Sequence, residues 1–212
     1  MYNFSKILQQ SMSTPFIDII LNSIKSIIKI RQGRPSQRFY LDQTDKKMCF
    51  LLYSGTCIAK RTNDSLVLST INSPSVFGLH DVFHEKSDIH LLAVNDVEYG
   101  MVAVDDFLTY ADEHHLWKEI SYMLMLSATR FSEYQRETVG VSNYELICNL
   151  LVSLSLESFE IRATTTALEY IQERSILSRS GIMKTLSSLK EGGYIVIKKG
   201  LLISINSLPK KF

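Results

Sequence analysis

The sequence predicts an α+β fold in which an N-terminal antiparallel β-barrel precedes one long helix, two short helices and a β-hairpin. Three observations lead to this prediction. Short apolar runs alternate with turn residues over 37–104, apolar residues then recur at heptad spacing, and two short helical patterns precede a hairpin pattern. The predicted domains are 1–104 (an N-terminal helix and the barrel), 105–140 (the long helix) and 141–212 (the short helices and the hairpin).

The composition is that of an ordinary folded protein, with 45% hydrophobic and 21% charged residues. Residues 1–14 lack the pattern of a secretory signal, and no apolar stretch is long enough to predict a transmembrane helix. Three cysteines do not make a disulfide framework. A reducing cytoplasm and no association with a membrane are therefore expected.

Charge is distributed unevenly along the chain, although the net charge is only +1. Residues 159–212 contain nine Lys or Arg and four Asp or Glu, so this part carries +5 and the remainder carries −4. A basic C-terminal module on an acidic body is typical of a protein whose one end meets phosphate groups.

An amphipathic helix is predicted over residues 15–30. Its apolar side chains recur at helical spacing and are expected to face the body of the protein: Phe16, Ile20, Ile24 and Ile27. Binding to a membrane surface is the alternative, although the polar face of this helix has few basic residues.

The barrel is predicted from seven short strands between turn signals. They are Arg38–Leu41, Met48–Tyr53, Thr56–Arg61, Leu66–Ile71, Ser75–Gly78, His90–Val94 and Glu98–Val104. A two-residue turn at Ser54-Gly55 would make a hairpin in which Cys49 lies opposite Lys60, on the other face from Cys57. The two cysteines are therefore expected to be packing residues rather than a redox pair.

The long helix is predicted from Asp106 to Thr138. A seam of residues recurs at alternating steps of three and four: Trp117, Ile120, Leu124, Ser127, Phe131, Tyr134 and Thr138. This heptad spacing predicts a second helix alongside, and hence a homodimer. The alternative is a helix buried within its own monomer. A further helix is predicted from Tyr144 to Glu157.

A helix-turn-helix is predicted near the C-terminus. The first helix runs from Thr166 to Glu173, residues 174–177 form the turn, and Ser178 caps the second helix. Inward residues at helical spacing are Ile182, Leu186 and Leu189, which leaves Arg179, Ser180, Lys184, Ser187 and Ser188 facing outward. Gly192-Gly193 ends this helix, and the β-runs Tyr194–Ile197 and Leu201–Ile205 form a two-stranded wing around Lys198-Lys199-Gly200.

The outward face of the second helix suits the major groove of double-stranded DNA. Arg179 can bind guanine in a bidentate manner, and Lys184 can reach a base edge or a phosphate. The wing residues Lys198 and Lys199 suit the DNA backbone. A small helical subdomain with a solvated charged face is one alternative, and a surface for contact with another protein is a second.

The order of barrel, long helix, connecting helix and winged helix-turn-helix resembles the CRP/FNR superfamily of bacterial transcription regulators. The segment 178-SRSGIMKTLSSLKEGGYI-195 is similar to the recognition segment S-R-x-x-V-x-R-x-L-x-x-L of that family. At closer range, 170-YIQERSILSRS-180 and 201-LLISINSLP-209 resemble the enterobacterial YaiV/IprA branch, which is named for inhibition of hydrogen peroxide resistance.

The resemblance implies a cytoplasmic, homodimeric DNA-binding regulator linked to oxidative stress, with RNA polymerase as a candidate further partner. The base-reading positions of the family match Arg179, Ser180 and Lys184, and Ser178 and Ser180 are expected to cap the helix or contact the DNA backbone. Two residues depart from the family: Ser180 replaces a frequent Glu, and Ile176 replaces the glycine of the turn. Base preference therefore cannot be transferred, and the turn is expected to be wound differently.

The predicted sensor departs further from the family, whose barrel is a cyclic-nucleotide-binding jelly roll. The matching stretch reads 78-GLHDVFHEKSDIHLLAV-94, in which Gly78 is retained, Leu79 replaces the Glu, and the Arg-Ser pair is missing. A cyclic phosphate would meet Asp81, Glu85 and Asp88 instead of a guanidinium group. No binding of cyclic nucleotides is expected. The cysteine cluster of the iron–sulfur members is absent from the sequence too.

Histidines are the remaining candidate ligands in the sensor. His80, His84 and His90 lie in the barrel region, and histidine can ligate haem iron or a divalent metal. The alternative is that they are surface and hydrogen-bonding residues. No catalytic motif, such as Gly-x-Ser-x-Gly or a phosphate-binding glycine-rich loop, occurs in the sequence, so an enzyme is not expected.

Overall fold

The computed structural model describes residues 15–43 and 46–209, and Asp81 without its side chain. The expectation that residues 1–14 are not a secretory signal falls outside these residues. The N-terminal end of the first predicted domain and the C-terminal end of the last one fall outside them too. The chain divides into two compact units, one up to Thr129 and one from Arg130 onward. The predicted boundaries at 104/105 and 140/141 stay predictions. Among the described helices, none combines the length and the apolar character that crossing a membrane requires.

The N-terminal helix is shorter than predicted. Helix α1 spans Pro15–Ile24 and buries Ile17, Ile20, Leu21 and Ile24. The prediction that Ile27 faces inward is wrong, because its side chain is 53% exposed. The amide of Ile27 donates to the carbonyl of Ile24, which forms a turn tighter than an α-helix. Residues after Ile24 therefore no longer follow the α-helical spacing of the buried face.

The described part of the first unit contains nine short strands, and all seven predicted strands are among them. They are β1 (Arg31–Gly33), β2 (Arg38–Tyr40), β3 (Asp42–Gln43), β4 (Lys46–Ser54), β5 (Thr56–Arg61), β6 (Val67–Asn72), β7 (Ser75–Phe77), β8 (Ile89–Ala93) and β9 (Val97–Ala103). The sequence did not predict β1 or β3, which have three and two residues.

These strands form two antiparallel sheets. One has the order β1-β9-β4-β3, with β7 also paired to β4, and the other has the order β2-β8-β5-β6. The architecture is a jelly-roll-like sandwich of two sheets rather than a closed barrel. Its interior is filled by side chains, with the Phe39 ring 4.9 Å from Phe50 and 4.6 Å from Tyr99 between centroids.

The predicted hairpin between Cys49 and Cys57 is wrong. Strands β4 and β5 belong to different sheets, and Gly55, with φ +91°, carries the chain from one to the other. A Cβ at Gly55 would lie 2.4 Å from the carbonyl oxygen of Asp96, so this crossing requires glycine. Cys57 lies in the core between the sheets, whereas Cys49 packs in a second core with α1. Burial raises the pKa of the Cys57 thiol to about 12 and raises that of Cys49 further.

The predicted long helix consists of two helices. Helix α2 spans Val104–Glu113 and helix α3 spans Trp117–Thr138. His115 between them has φ +56°, outside the helical region. This break lets Leu116 and Ile120 enter the same core as α1, where they are 5% and 1% exposed.

Up to residue 209, the second unit contains four helices beyond the end of α3, followed by a hairpin. These elements are α4 (Asn143–Leu156), α5 (Phe159–Thr164), α6 (Ala167–Glu173), α7 (Arg179–Glu191), β10 (Ile195–Lys198) and β11 (Leu201–Ile205). Helix α5 was not predicted. Ser142 and Glu145 form a capping box at the start of α4, which explains why that helix begins where the sequence predicts.

Candidate nucleic-acid interface

The candidate interface begins with α6, whose start is held by a capping box. The amide of Glu169 donates to the hydroxyl of Thr166 at 3.2 Å, and the amide of Thr166 donates to the Glu169 carboxylate at 3.0 Å. These hydrogen bonds hold the pKa of Glu169 below its usual range, and Arg179 adds to the effect. Helix α6 therefore begins directly after Thr166, close to the predicted start of this helix.

The turn between α6 and α7 is wound without a glycine. Ile176 has a negative φ angle and its side chain is 93% exposed. The hydroxyl of Ser175 donates to the carbonyl of Ile171 at 2.7 Å, which satisfies an acceptor at the end of α6. The replacement of the family's glycine is thus compatible with this turn, because no left-handed residue is needed at that position.

A buried polar cluster lies beneath this turn. The hydroxyl of Tyr170 donates to the carboxylate of Glu157 at 2.7 Å, and Nη2 of Arg174 lies 3.7 Å from the same oxygen. The Arg174 guanidinium also stacks 3.6 Å from the centre of the Tyr170 ring. Burial raises the pKa of the Tyr170 phenol far above its usual range. These contacts tie α6 and the start of the turn to the end of α4.

Helix α7 presents the predicted faces. The hydroxyl of Ser178 accepts from the amide of Gly181 at 3.2 Å, so Ser178 is the N-cap. Ile182, Leu186 and Leu189 are buried at 0%, 6% and 0% exposure. Four of the predicted outward residues are exposed: Arg179, Ser180, Lys184 and Ser187. The fifth, Ser188, is half-buried.

The structure adds two residues to this surface that the sequence analysis missed. Met183 is 44% exposed and lies one turn after Arg179 on α7. Gln172 of α6 accepts a hydrogen bond from Nη1 of Arg179 at 3.1 Å. The four-residue spacing from Arg179 to Met183 was a signal in the sequence. The contact of Gln172 was not, because it depends on how α6 and α7 cross.

The wing is a tight hairpin whose tip touches the start of α6. Lys199 and Gly200 both have positive φ angles, +49° and +84°, as a two-residue hairpin turn requires. The carbonyl of Gly200 accepts from the amide of Ala167 at 2.9 Å. Lys198 and Lys199 are exposed beside this contact.

The predicted histidine ligands differ in their surroundings. His80 is exposed with its ring 4.7 Å from that of Phe77, and His84 is exposed. His90 is buried on β8, and burial, followed by Arg38 and Lys60, lowers its pKa. Within residues 15–43 and 46–209, no three His, Cys, Asp or Glu side chains form a group that could hold a metal ion. Haem or metal binding stays a prediction.

The predicted dimer seam on α3 has two environments. Ile120 is 1% exposed and belongs to the core of its own chain. Ser127 is exposed, and its hydroxyl donates to the carbonyl of Met123 at 3.0 Å. The large apolar members of the seam are exposed at 40–61%: Trp117, Leu124, Phe131 and Tyr134.

Comparison with known proteins agrees with this architecture. A family model described as winged helix-turn-helix DNA binding matches residues 142–210. The inhibitor of hydrogen peroxide resistance from Salmonella typhimurium is 26% identical over 164 residues, which cover 77% of this chain and 79% of that protein. The protein of the same name from Escherichia coli K12 is 24% identical over 186 residues, which cover 83% of this chain and 85% of that protein.

Solved structures show the same fold. The c-di-GMP-responsive global regulator CLP of Xanthomonas campestris superposes with a TM-score of 0.67 at 14% identity, covering 90% of this chain and 100% of that one. A regulator of the CRP/FNR family from Eubacterium rectale superposes with a TM-score of 0.63 at 15% identity, covering 91% of each chain. The chain therefore has the fold of CRP/FNR regulators, carries a winged helix-turn-helix, and is a distant relative of the inhibitors of hydrogen peroxide resistance.

Proposed function

We propose that this protein is a homodimeric transcription regulator that binds double-stranded DNA through α7 and the wing. The observation that carries the proposal is the exposed, basic start of α7, a helix whose opposite face is buried through Ile182, Leu186 and Leu189. Lys198 and Lys199 of the wing are exposed as well. The net charge of +5 on residues 159–212 also supports DNA as the partner.

Each residue of the surface has an expected role. Arg179 recognises a base edge in the major groove, and Lys184 contacts a base or a phosphate. Ser178 caps α7, and the nearby Ser180 hydroxyl contacts the DNA backbone. Lys198 and Lys199 at the wing neutralise phosphates, which makes the affinity depend on salt.

The test is selection of DNA fragments from the genome by the purified protein, repeated with Arg179→Ala. The parent should enrich a two-fold-symmetric motif with half-sites about one helical turn apart. Arg179→Ala should lose the motif and keep its fold, because Arg179 is exposed. The matched control is Lys190→Ala, which removes one positive charge at the far end of α7 and should keep the motif.

Contact with another protein is the competing function for the same surface. The exposed Ile176 and Met183 are apolar residues that such a partner could cover. Absence of any enriched motif would favour that role over base recognition, whereas retention of the motif by Arg179→Ala would remove Arg179 from the DNA-reading site. Loss of affinity with rising salt separates the two, because contacts with phosphates release counterions.

Dimerisation through α3 is part of the proposal. Support comes from the exposed apolar side chains of Trp117, Leu124, Phe131 and Tyr134, which recur on one face of that helix. A symmetric pair of winged domains would then match a symmetric DNA site. RNA polymerase is a further partner of this proposal.

Regulation by cyclic nucleotides is not part of the proposal. Leu79 stands in a turn that begins at Gly78, where the resemblance expects a carboxylate, and the stretch up to His90 contains no arginine. Calorimetric titration with cyclic AMP and cyclic GMP should give no heat of binding. Haem or metal binding by His80, His84 and His90 remains the alternative sensor chemistry, tested by haem titration and elemental analysis.

The physiological role is proposed from the names of the relatives. Proteins called inhibitors of hydrogen peroxide resistance match 77–83% of the chain. We infer a cytoplasmic regulator, not an enzyme, that acts on genes of the peroxide response. Deletion of the gene should change survival in hydrogen peroxide, and a plasmid copy with Arg179→Ala should fail to restore it.

A further inference from the structure

We propose that Gln172 is a positioning residue that orients Arg179 for base recognition. This inference rests on the proposed DNA-binding function and deepens it. The amide oxygen of Gln172, on α6, accepts a hydrogen bond from Nη1 of Arg179, the first residue of α7, at 3.1 Å. Selectivity for the base that Arg179 contacts would then depend on a residue outside α7.

The hydrogen-bond acceptor of Gln172 is attached to a well-packed part of α6. Gln172 is half-buried, and the residues before it, Tyr170 and Ile171, are 2% and 0% exposed in the core of the second unit. The capping box fixes the start of the same helix, and the Tyr170 hydroxyl is bonded to Glu157. The backbone of Gln172 is thereby held in place, and its amide can reach Arg179 only in a restricted set of conformations.

The hydrogen bond leaves the opposite side of the guanidinium available. No described residue accepts a hydrogen bond from the Nε–Nη2 edge of Arg179. Two parallel N–H donors are what the O6 and N7 atoms of guanine require. Arg179 is exposed, and a long side chain without a partner would sample many rotamers that must be lost on binding. Gln172 reduces that loss and selects the rotamers that keep this edge free.

The carboxylate of Glu169 makes the same side of α6 attractive to Arg179. Glu169 lies one turn before Gln172 and interacts electrostatically with Arg179. Its Oε2 atom accepts from both the amide and the hydroxyl of Thr166 in the capping box, and Arg179 donates to Gln172 rather than to this carboxylate. Gln172 therefore supplies the directional contact, and Glu169 supplies only long-range attraction.

The experiment is a double-mutant cycle with Gln172→Met and Arg179→Ala in the full chain, measured against a randomised library of symmetric DNA sites. Gln172→Met keeps the length of the side chain and removes the acceptor. We expect it to lower the preference for the base pair that Arg179 contacts by roughly three- to tenfold, a part of the discrimination of a bidentate contact. The thermal midpoint and the slope of affinity against salt should stay unchanged.

The Arg179→Ala background tests whether Gln172 acts through Arg179. In that background, Gln172→Met should cause no additional loss of affinity for the motif that the parent selects, because the group that it positions is gone. Gln172→Glu is the rescue variant: it retains an acceptor oxygen, so the base preference should persist while overall affinity falls through repulsion of phosphates. Gln172→Leu also removes the acceptor and gives the same test if Gln172→Met folds poorly.

Two outcomes would overturn the inference and are distinguishable from failure of the proposed function. If the parent selects a motif and Gln172→Met selects it with unchanged preference, Gln172 does not position Arg179. If Gln172→Met has the same effect with and without Arg179, its role is structural. A parent protein that selects no motif at all rejects DNA recognition itself, and the inference falls with it.

Discussion

Gly200 satisfies two requirements at the tip of the wing. Its φ of +84° belongs to the left-handed region, and a Cβ there would lie 2.8 Å from Cγ2 of Thr166. Its carbonyl also accepts from the amide of Ala167, the first residue of α6. One residue therefore shapes the hairpin and attaches it to the helix-turn-helix.

Gly200→Ala should destabilise the second unit by about 2–3 kcal/mol, through left-handed strain and the clash with Thr166. Gly193→Ala is the matched control, because Gly193 has φ +70° but no atom within 4 Å of its added Cβ, so its cost should be about 1 kcal/mol. Hydrogen exchange of the α6 and α7 amides measures both. Equal losses would show that contact with Thr166 is unimportant.

Sequence reasoning at the residue scale worked where the chemistry is local. Ser178 was identified as an N-cap because a small hydroxyl residue precedes a helical pattern, and its contact with Gly181 spans three residues. Gln172 was not identified, because its partner Arg179 lies seven residues away on another helix. Contacts of that kind depend on the crossing of two elements.

Helices α4 and α6 are joined by the buried cluster of Glu157, Tyr170 and Arg174. The side chains of Arg174 and Glu157 are only 9% and 10% exposed, so both charges have been removed from most of their water. A buried ion pair is costly to separate, because removing one partner leaves the other charge without compensation. The cluster therefore fixes the position of α6, which carries Gln172.

Glu157→Ala should destabilise the second unit by about 3 kcal/mol, because Arg174 and the Tyr170 hydroxyl lose their shared acceptor. Glu191→Ala at the exposed end of α7 is the control and should change stability by no more than about 0.5 kcal/mol. Urea unfolding followed by circular dichroism measures both variants. A loss for Glu157→Ala no larger than that of the control would show that the cluster contributes little.

Element by element, the predictions held best for the strands and for the helix-turn-helix. Alternating apolar runs and turn residues located all seven predicted strands, apolar spacing located α4 and α6, and the N-cap Ser178 located the start of α7. The break between α2 and α3 was missed, because Leu116 and Ile120 have a pattern that also suits a continuous helix. Their burial with α1 determined the break.

At the scale of the whole molecule, the exposed seam of α3 is the surface on which a homodimer would form. The distribution of charge along the chain agrees with such an assembly. In a dimer, the two basic C-terminal regions would contact the two half-sites of one DNA molecule, and the rest of each chain, with a net charge of −4, would not contact DNA. Leu124 and Phe131 are 43% and 61% exposed and stand one heptad apart.

The double variant Leu124→Lys with Phe131→Lys should be monomeric, because two charges would be placed in an apolar seam. Affinity for a symmetric site should fall by about 100-fold, since the second half-site contact is no longer intramolecular. Thr129→Lys, exposed on another face of α3, is the control and should stay dimeric. Analytical ultracentrifugation gives the masses. A parent that is itself monomeric would reject the dimer.

Sequence patterns were sufficient to predict the order of the main elements, the two faces of α7 and the resemblance to CRP/FNR regulators. These properties depend on spacing, capping residues and turn residues, which are local along the chain. Packing in three dimensions places β4 and β5 in different sheets, separates α2 from α3, and brings Gln172 to Arg179. Those outcomes depend on which surfaces pack together, because burial of distant apolar residues outweighs local preference.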